Sequence, residues 1–202
     1  MSKDLLLKTF VMILFITLTT SMLNAQVCAF QEVKKPFMMI NIGTGIGINN
    51  VSHWYENHNQ TTTMGDIGLT VNFPIKLKPL NNLAAGIDLR YASNDGYASF
   101  NDEYSLIFIG GNIMLNPGTI GFFSLSPGVV LGDVTHTCGT EQSIKPKFSM
   151  RLTSGIELGN TIKTGSTGVF LNHYRGKVDD DHLVSTTVGL FLDARFNIFT
   201  KN

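Results

Sequence analysis

The stretch Leu183-Val-Ser-Thr-Thr-Val-Gly-Leu-Phe-Leu-Asp-Ala-Arg-Phe-Asn-Ile-Phe199 decides the fold. In an extended chain Val184, Thr186, Val188, Leu190, Leu192, Ala194, Phe196 and Ile198 fall on one face. Ser185, Thr187, Gly189, Phe191, Asp193, Arg195 and Asn197 fall on the other. A helix would mix the two sets, whereas a strand separates them. The polar set is short of charge and rich in Gly, Ser and Thr, which suits a narrow, filled interior better than a solvated surface.

The same alternation recurs upstream. Ile67, Leu69, Val71, Phe73 and Ile75 stand against Asp66, Gly68, Thr70 and Asn72. Leu83, Ala85, Ile87, Leu89 and Tyr91 stand against Ala84, Gly86, Asp88 and Arg90. Phe148, Met150, Leu152, Ile156 and Leu158 stand against Ser149, Arg151, Thr153, Gly155 and Glu157. Eight segments follow: Pro36–Ile48, Met64–Ile75, Leu83–Ala92, Tyr104–Leu115, Thr119–Asp133, Lys145–Leu158, Gly165–Arg175 and Leu183–Phe199. A tilted membrane strand needs about 9–11 residues, which these lengths meet. Pro127 cannot donate to a ladder, so a bulge or local break is expected in the fifth segment. Phe108, Phe122 and Phe191 fall on the inner face.

The connections alternate in length. Residues 49–63, 93–103, 134–144 and 176–182 read as long polar loops, while 76–82, 116–118 and 159–164 read as shorter turns. Outer-membrane barrels join their strands by short periplasmic turns and longer extracellular loops. The predicted fold is all-β: an eight-stranded antiparallel up-and-down transmembrane barrel, with both termini periplasmic. Trp54, Tyr55, Tyr91, Tyr97, Tyr104 and Tyr174 fall near the long-loop ends, and Phe37, Phe73, Phe196 and Phe199 near the opposite ends. Such rings collect at membrane interfaces, so Trp54, Tyr55, Tyr91, Tyr104 and Tyr174 are the expected aromatic girdle.

Composition agrees with this reading. The 202 residues suffice for one domain, and 15 basic against 15 acidic residues exclude the basic excess of a nucleic-acid binder. Charged residues make up 15% of the chain, against roughly 25% in soluble proteins. Lys3 and Lys8, the apolar run Phe10–Thr20 and the small and polar residues Ser21–Gln26 form a Sec signal pattern. Cleavage is expected after Ala25, giving a signal peptide over 1–25, a short periplasmic segment over 26–35 and a barrel over 36–202. Cys28 and Cys138 are placed at opposite ends of the barrel and are expected not to pair with each other.

The signal, the eight segments, the alternating loops and the Gly-rich Asn41-Ile-Gly-Thr-Gly-Ile-Gly47 resemble the OmpA transmembrane domain and OmpX class over residues 36–199. That resemblance implies export to the bacterial outer membrane through the Sec pathway and insertion by the barrel-assembly machinery. It implies a monomer surrounded by outer-membrane lipid and lipopolysaccharide, with loops that reach host or surface ligands. No cofactor is implied.

Candidate chemistry lies in three places. Asp66, Asp88, Arg90, Arg151, Glu157, Asp193 and Arg195 share the inner face and are expected to form a polar network that fills the lumen, since buried charges must be paired. A gated ion path is the functional alternative to that filler. His173-Tyr174-Arg175 stands where lipid A deacylases resembling PagL carry a His-x-Ser element. Arg175 stands in place of the Ser and no Glu lies downstream of Glu157, so no catalytic residue is assigned. His173 and Arg175 are instead placed at the rim, within reach of lipopolysaccharide phosphates. Asp179-Asp180-Asp181-His182 and the group His53, Glu56 and His58 lack the ordered spacing of metal sites, so no metal is expected. The expected role is structural or surface-interacting, serving envelope integrity, adhesion or host contact. The alternative is a small pore for hydrophobic compounds similar to the OmpW group.

Overall fold

The computed structural model describes residues 36–53, 59–75, 82–94, 102–115, 121–135, 139–159, 163–178 and 181–199. The proposed signal peptide, Cys28, Cys138, Trp54, Tyr55, Tyr97, Glu56 and His58 lie outside the described residues, as do Asp179 and Asp180. The strands are β1 (Met38–His53), β2 (Asn59–Ile75), β3 (Leu83–Asn94), β4 (Glu103–Leu115), β5 (Gly121–Thr135), β6 (Glu141–Pro146), β7 (Phe148–Gly159), β8 (Lys163–Val178) and β9 (Asp181–Ile198).

All pairings are antiparallel, and every strand pairs with its sequence neighbours except β6 and β7, which do not pair with each other; β9 then returns to pair with β1. The sheet therefore closes on itself and leaves no open edge. Strands β6 and β7 together occupy a single place in the ring, because both pair with β5 and with β8. The result is an eight-position barrel. No helix among the described residues is long and apolar enough to cross a membrane.

The break between β6 and β7 is a bulge. On one side Val130 and Leu131 stand against Lys145, Pro146 and Lys147; on the other, Tyr174 and Arg175 stand against Lys147, Phe148 and Ser149. One extra residue shifts the register and reverses which residues point inward. Ile144 faces in above the bulge, and Ser149, Arg151 and Thr153 face in below it. Of the bulge or local break expected at Pro127, the structure shows the break: Ser126 and Pro127 have no bridge partner on β4. Strand β5 runs through Pro127 with one register toward β4, the pairs Gly128↔Gly110 and Leu125↔Ile113 lying on the same diagonal. Where bridging lapses between them, Ser124 and Ser126 donate to Asn112 Oδ1, the latter at 2.9 Å.

The long loops are shorter than the sequence implied. The residues between strands are 54–58, 95–102, 136–140 and 179–180 at one end and 76–82, 116–120 and 160–162 at the other. Of the stretches read as long loops, 49–63, 134–144 and 176–182 are more than half strand, whereas 93–103 is strand only at 93, 94 and 103. The reason is a reversal of polarity along the barrel. Over most of its height the outside is apolar, with Ile46, Ile48, Ile67, Ile87, Leu158, Leu190 and Leu192 all more than half exposed. Toward the 54–58 end the outward residues become polar (Asn50, Ser52, Thr61, Thr63, Ser93, Ser105, Asp133), while Val51, Met64, Ala92, Tyr104, Val134, Val178 and Leu183 turn inward and are buried. The lower part is thus patterned for lipid and the upper part for water, and a polar outward face at the strand ends mimics a loop when read from sequence.

Candidate functional site

The lumen is layered. At the protruding end Tyr104, Leu106, Phe108, Val130, Val134, Ile144 and Tyr174 belong to one apolar cluster. Phe108 stacks on Tyr174 with ring centroids 5.5 Å apart. At the other end Met39, Ala84, Met114, Phe122, Phe170 and Phe191 form a second cluster, with Phe122 edge-on to Phe191 at 6.0 Å. Polar groups occupy much of the lumen, most densely in the middle, but they share it with the two apolar clusters. The aromatic side chains seen in the sequence on the inner face, Phe108, Phe122 and Phe191, belong to those clusters.

Between the clusters sits a charged layer built from opposite walls of the ring. Arg151 on β7 donates from Nη1 to Asp66 Oδ2 on β2 at 2.5 Å and to Asn172 Oδ1 on β8 at 3.0 Å. Arg90 on β3 lies among three carboxylates, donating from Nε to Asp88 Oδ1 at 3.1 Å and standing 3.6 Å from Asp66 and 3.8 Å from Asp193. Thr70 donates to the same Asp88 oxygen at 2.9 Å. The Arg151 guanidinium also lies over the Phe170 ring, 4.6 Å from its centroid. Nearer the turn end Arg195 pairs with Glu157, donates to Asn41 Oδ1 at 2.6 Å, and sits 5.6 Å from the Phe122 centroid. The seven charges predicted as one network therefore fall into two groups: Asp66, Asp88, Arg90, Arg151 and Asp193 in one, Glu157 and Arg195 in the other.

The glycines of β1 make room for this layer. A Cβ on Gly43 would fall 1.6 Å from Asp193 Oδ1, and one on Gly45 would fall 2.7 Å from the Phe170 ring. The Gly-x-Gly-x-Gly pattern of β1 is therefore a smooth inner wall against which longer side chains from β2, β8 and β9 lie. Sequence reading singled out none of the asparagines as network members: Asn172 bonds to Arg151 and Asp66, Asn41 accepts from Arg195, and Asn112 donates to Asn72. All have the inward parity of their strands and are buried, and that parity was the signal available.

Two members of the predicted aromatic girdle are corrected. Tyr104 and Tyr174 are each 1% exposed and face the lumen, because they share parity with Leu106 and Phe108 on β4 and with Phe170 and Asn172 on β8. Their positions at strand ends suggested an interface, but the polarity reversal makes those ends apolar on the inside. Tyr91 does face outward, 45% exposed, and its hydroxyl accepts a bond from Ser105 Oγ at 3.0 Å. At the other rim Phe37 and Phe73 are exposed and meet edge to face at 6.2 Å.

His173 also faces outward, half-buried, and its one hydrogen bond among the described residues links Nδ1 to Thr186 Oγ1 at 3.1 Å. Among the described residues no group of His, Cys, Asp and Glu is arranged to hold a metal ion.

No protein-family model matches the sequence, and a search of curated proteins returns no match. Among solved structures the chain is similar to neisserial surface protein A, with 12% identity and a TM-score of 0.53 over 79% of this chain and 97% of that one. OprG from Pseudomonas aeruginosa aligns more loosely, with 10% identity and a TM-score of 0.45 over 79% and 97% of the two chains. The attachment invasion locus protein Ail of Yersinia pestis does so at 11% and 0.43 over 79% and 99%. At such identities the likeness speaks for the fold alone. Ring closure, strand count and outward apolar belt together make this chain a small β-barrel of the outer-membrane type, with the architecture shared by the OmpA transmembrane domain and OmpX.

Proposed function

We propose that the protein resides in the bacterial outer membrane, after Sec export, as a closed barrel with a structural or surface-interaction role. Its lipid-facing belt anchors a protruding collar of sheet, and that collar and its loops are what the cell exterior meets. The observation that carries the reading is the doubly sealed lumen. An eight-strand barrel leaves space for side chains and little else, and here an apolar plug containing Phe108 and Tyr174 lies above the Arg151–Asp66–Arg90 layer. Nothing in that arrangement favours a path for solutes.

The non-catalytic reading is supported by His173, which meets Thr186 and has no carboxylate to orient its ring among the described residues. An OmpW-like pore would need an open apolar lumen, whereas Phe108, Phe122 and Phe191 are packed against other rings or aliphatic groups and are at most 3% exposed. Purified protein in planar bilayers tests the proposal. Conductance at the baseline of protein-free membranes is the expected result, and large, stable channels would overturn it. Fractionation of cells tests location, with the protein expected in the outer-membrane fraction as a heat-modifiable band.

A further inference from the structure

The charges that point into the barrel do not balance. Among the described side chains, four inward carboxylates (Asp66, Asp88, Glu157 and Asp193) face three inward guanidiniums (Arg90, Arg151 and Arg195), and no described Lys or His side chain points inward. The lumen therefore holds one negative charge in excess. The pairing shows which carboxylate is left over. Arg195 is taken by Glu157, Arg151 donates to Asp66 Oδ2 at 2.5 Å, and Arg90 donates to Asp88 Oδ1 at 3.1 Å. Asp66 and Asp88 each accept a further bond, from Asn172 at 3.4 Å and from Thr70 at 2.9 Å. Asp193 is served far less well. Arg90 Nη2 stands 3.8 Å from its Oδ2, beyond a direct bond, and its Oδ1 has no hydrogen-bond partner.

A second carboxylate oxygen is in the same position. Asp66 Oδ1 also lacks a hydrogen-bond partner, on a side chain that is 1% exposed, with Arg90 Nη1 3.6 Å away. Both oxygens lie over the same wall. A Cβ on Gly43 would fall 1.6 Å from Asp193 Oδ1, and a Cβ on Gly45 would fall 3.0 Å from Asp66 Oδ1. The register explains this, since Gly43 is the partner of Asp193 on β9 and Gly45 the partner of Asp66 on β2. The two side chains thus lean over β1 from its two flanks and bring bare oxygens to the strip Gly43-Thr-Gly45. Apolar clusters lie toward both ends of the lumen, so the excess charge is poorly screened by bulk counter-ions. A buried charge in such a space must be compensated. Neighbouring carboxylates meet that need by holding one cation in common.

We infer that Asp193 and Asp66 bind one monovalent cation, a proton or an alkali metal ion, over the Gly43–Gly45 strip, and that this cation completes the charge balance of the lumen. The surroundings select its charge. A divalent ion would leave a positive excess beside two guanidiniums, and an anion would double the negative one. The charged and titratable groups that face the site are Asp88 and Arg90 of β3, Arg151 of β7 and, from the cluster above, Tyr174 of β8. Arg195 and Glu157 lie nearer the turn end and neutralise each other. On its own side β1 presents only glycine.

The test compares the unsubstituted chain with Asp193→Asn, which keeps the shape of the side chain and removes the surplus charge. Both are refolded into lipid vesicles, and the folding equilibrium is read by urea titration. For a proton, the folding constant relative to D193N falls by about tenfold for each unit of pH above the range where free carboxyls titrate, because folding then takes a proton from solution. An infrared carbonyl band of a protonated carboxyl accompanies that slope and is missing from D193N. For an alkali ion, the folding constant rises by up to about tenfold for each tenfold increase in NaCl or KCl, exchanged against N-methylglucamine chloride at constant ionic strength. D193N does not respond. Either pattern supports the inference and names the cation. Equal responses of the two proteins to pH and to alkali ions, without the infrared band, overturn it, since Asp193 then stays ionised against Arg90 alone. A band that persists in D193N places the proton elsewhere and overturns it as well. The infrared band and the alkali-ion response are also read on the unsubstituted chain by itself. They decide the question even where D193N fails to refold: either one supports the site, and the absence of both ends it.

Discussion

Arg151 and Asp66 are 85 residues apart in the chain, yet they meet at 2.5 Å across the barrel with neither side chain more than 1% exposed. They stand on β7 and β2, strands that share no ladder. The contact therefore crosses the lumen and ties one wall to another. Replacing Asp66 by Ala would leave Arg151 and Arg90 facing each other with one shared carboxylate gone. Removing one partner of a buried pair costs about 3–5 kcal/mol, because the other charge is left uncompensated. Urea unfolding of the refolded barrel in lipid should show a loss of this size. The double variant D66L/R151M should recover much of it, since an apolar filler of similar volume carries no stranded charge.

Gly132 makes a different kind of prediction. Its φ is +148°, and a Cβ there would lie 1.9 Å from the Ser105 carbonyl oxygen on β4. Neither the backbone conformation nor the space admits a side chain, and the obstacle is main chain that cannot swing aside. Gly132→Ala is expected to destabilise the barrel by about 1–3 kcal/mol or to prevent refolding. Gly165→Ala is the control. The nearest atom to its Cβ is 3.6 Å away, an ordinary contact, so its unfolding midpoint should be close to that of the unsubstituted chain.

The extent to which this structure is legible in the sequence follows from periodicity. Outward positions such as Leu190 and Leu192, and inward ones such as Asp193 and Arg195, are assigned correctly because an alternation of two holds along an unbroken strand. The failures come where a single assumption about polarity breaks down. Asn50, Ser52, Thr61 and Thr63 look like loop, but they are the watered outside of strands whose inside has become apolar. Tyr104 and Tyr174 look like an interfacial girdle for the same reason. The Lys147 bulge is a second blind spot, since one inserted residue reverses facing without leaving any strong local mark. Pro127, a strong local mark, signals only a lapse in the β4 ladder, and β5 continues through it. The charged layer was visible as seven residues of common parity. Its division into two groups depends on height along tilted strands, which parity does not encode.

The two seals in the lumen should behave independently. Phe108 is fully buried and stacked on Tyr174, so Phe108→Ala removes a large aromatic from the upper cluster. The expected cost is about 3–5 kcal/mol, as for other buried Phe truncations. Conductance should nevertheless stay at baseline, because the Arg90–Asp66–Arg151 layer below is untouched. Combining Phe108→Ala with loss of the Asp66 pair should still leave conductance at baseline, because the cluster around Phe122 and Phe191 at the other end remains, and single-channel recording of the three proteins checks this.

The outer face offers the sharpest contrast between a membrane barrel and a water-soluble one. Leu190 points outward, is 64% exposed, and lies between Ile46 of β1 and Val169 of β8, well within the apolar belt. On a soluble barrel, Leu190→Arg would replace an exposed apolar side chain by a charge and would leave stability unchanged or improve solubility. In a bilayer the same change places a guanidinium in hydrocarbon, at a cost of about 2–4 kcal/mol near the midplane that falls toward the interfaces. Refolding into vesicles should therefore show a loss of that order for Leu190→Arg. Ser52→Arg, on the outward polar face of β1 beyond the belt, should cost less than about 1 kcal/mol. Equal effects at the two positions would mean that the apolar belt does not sit in lipid.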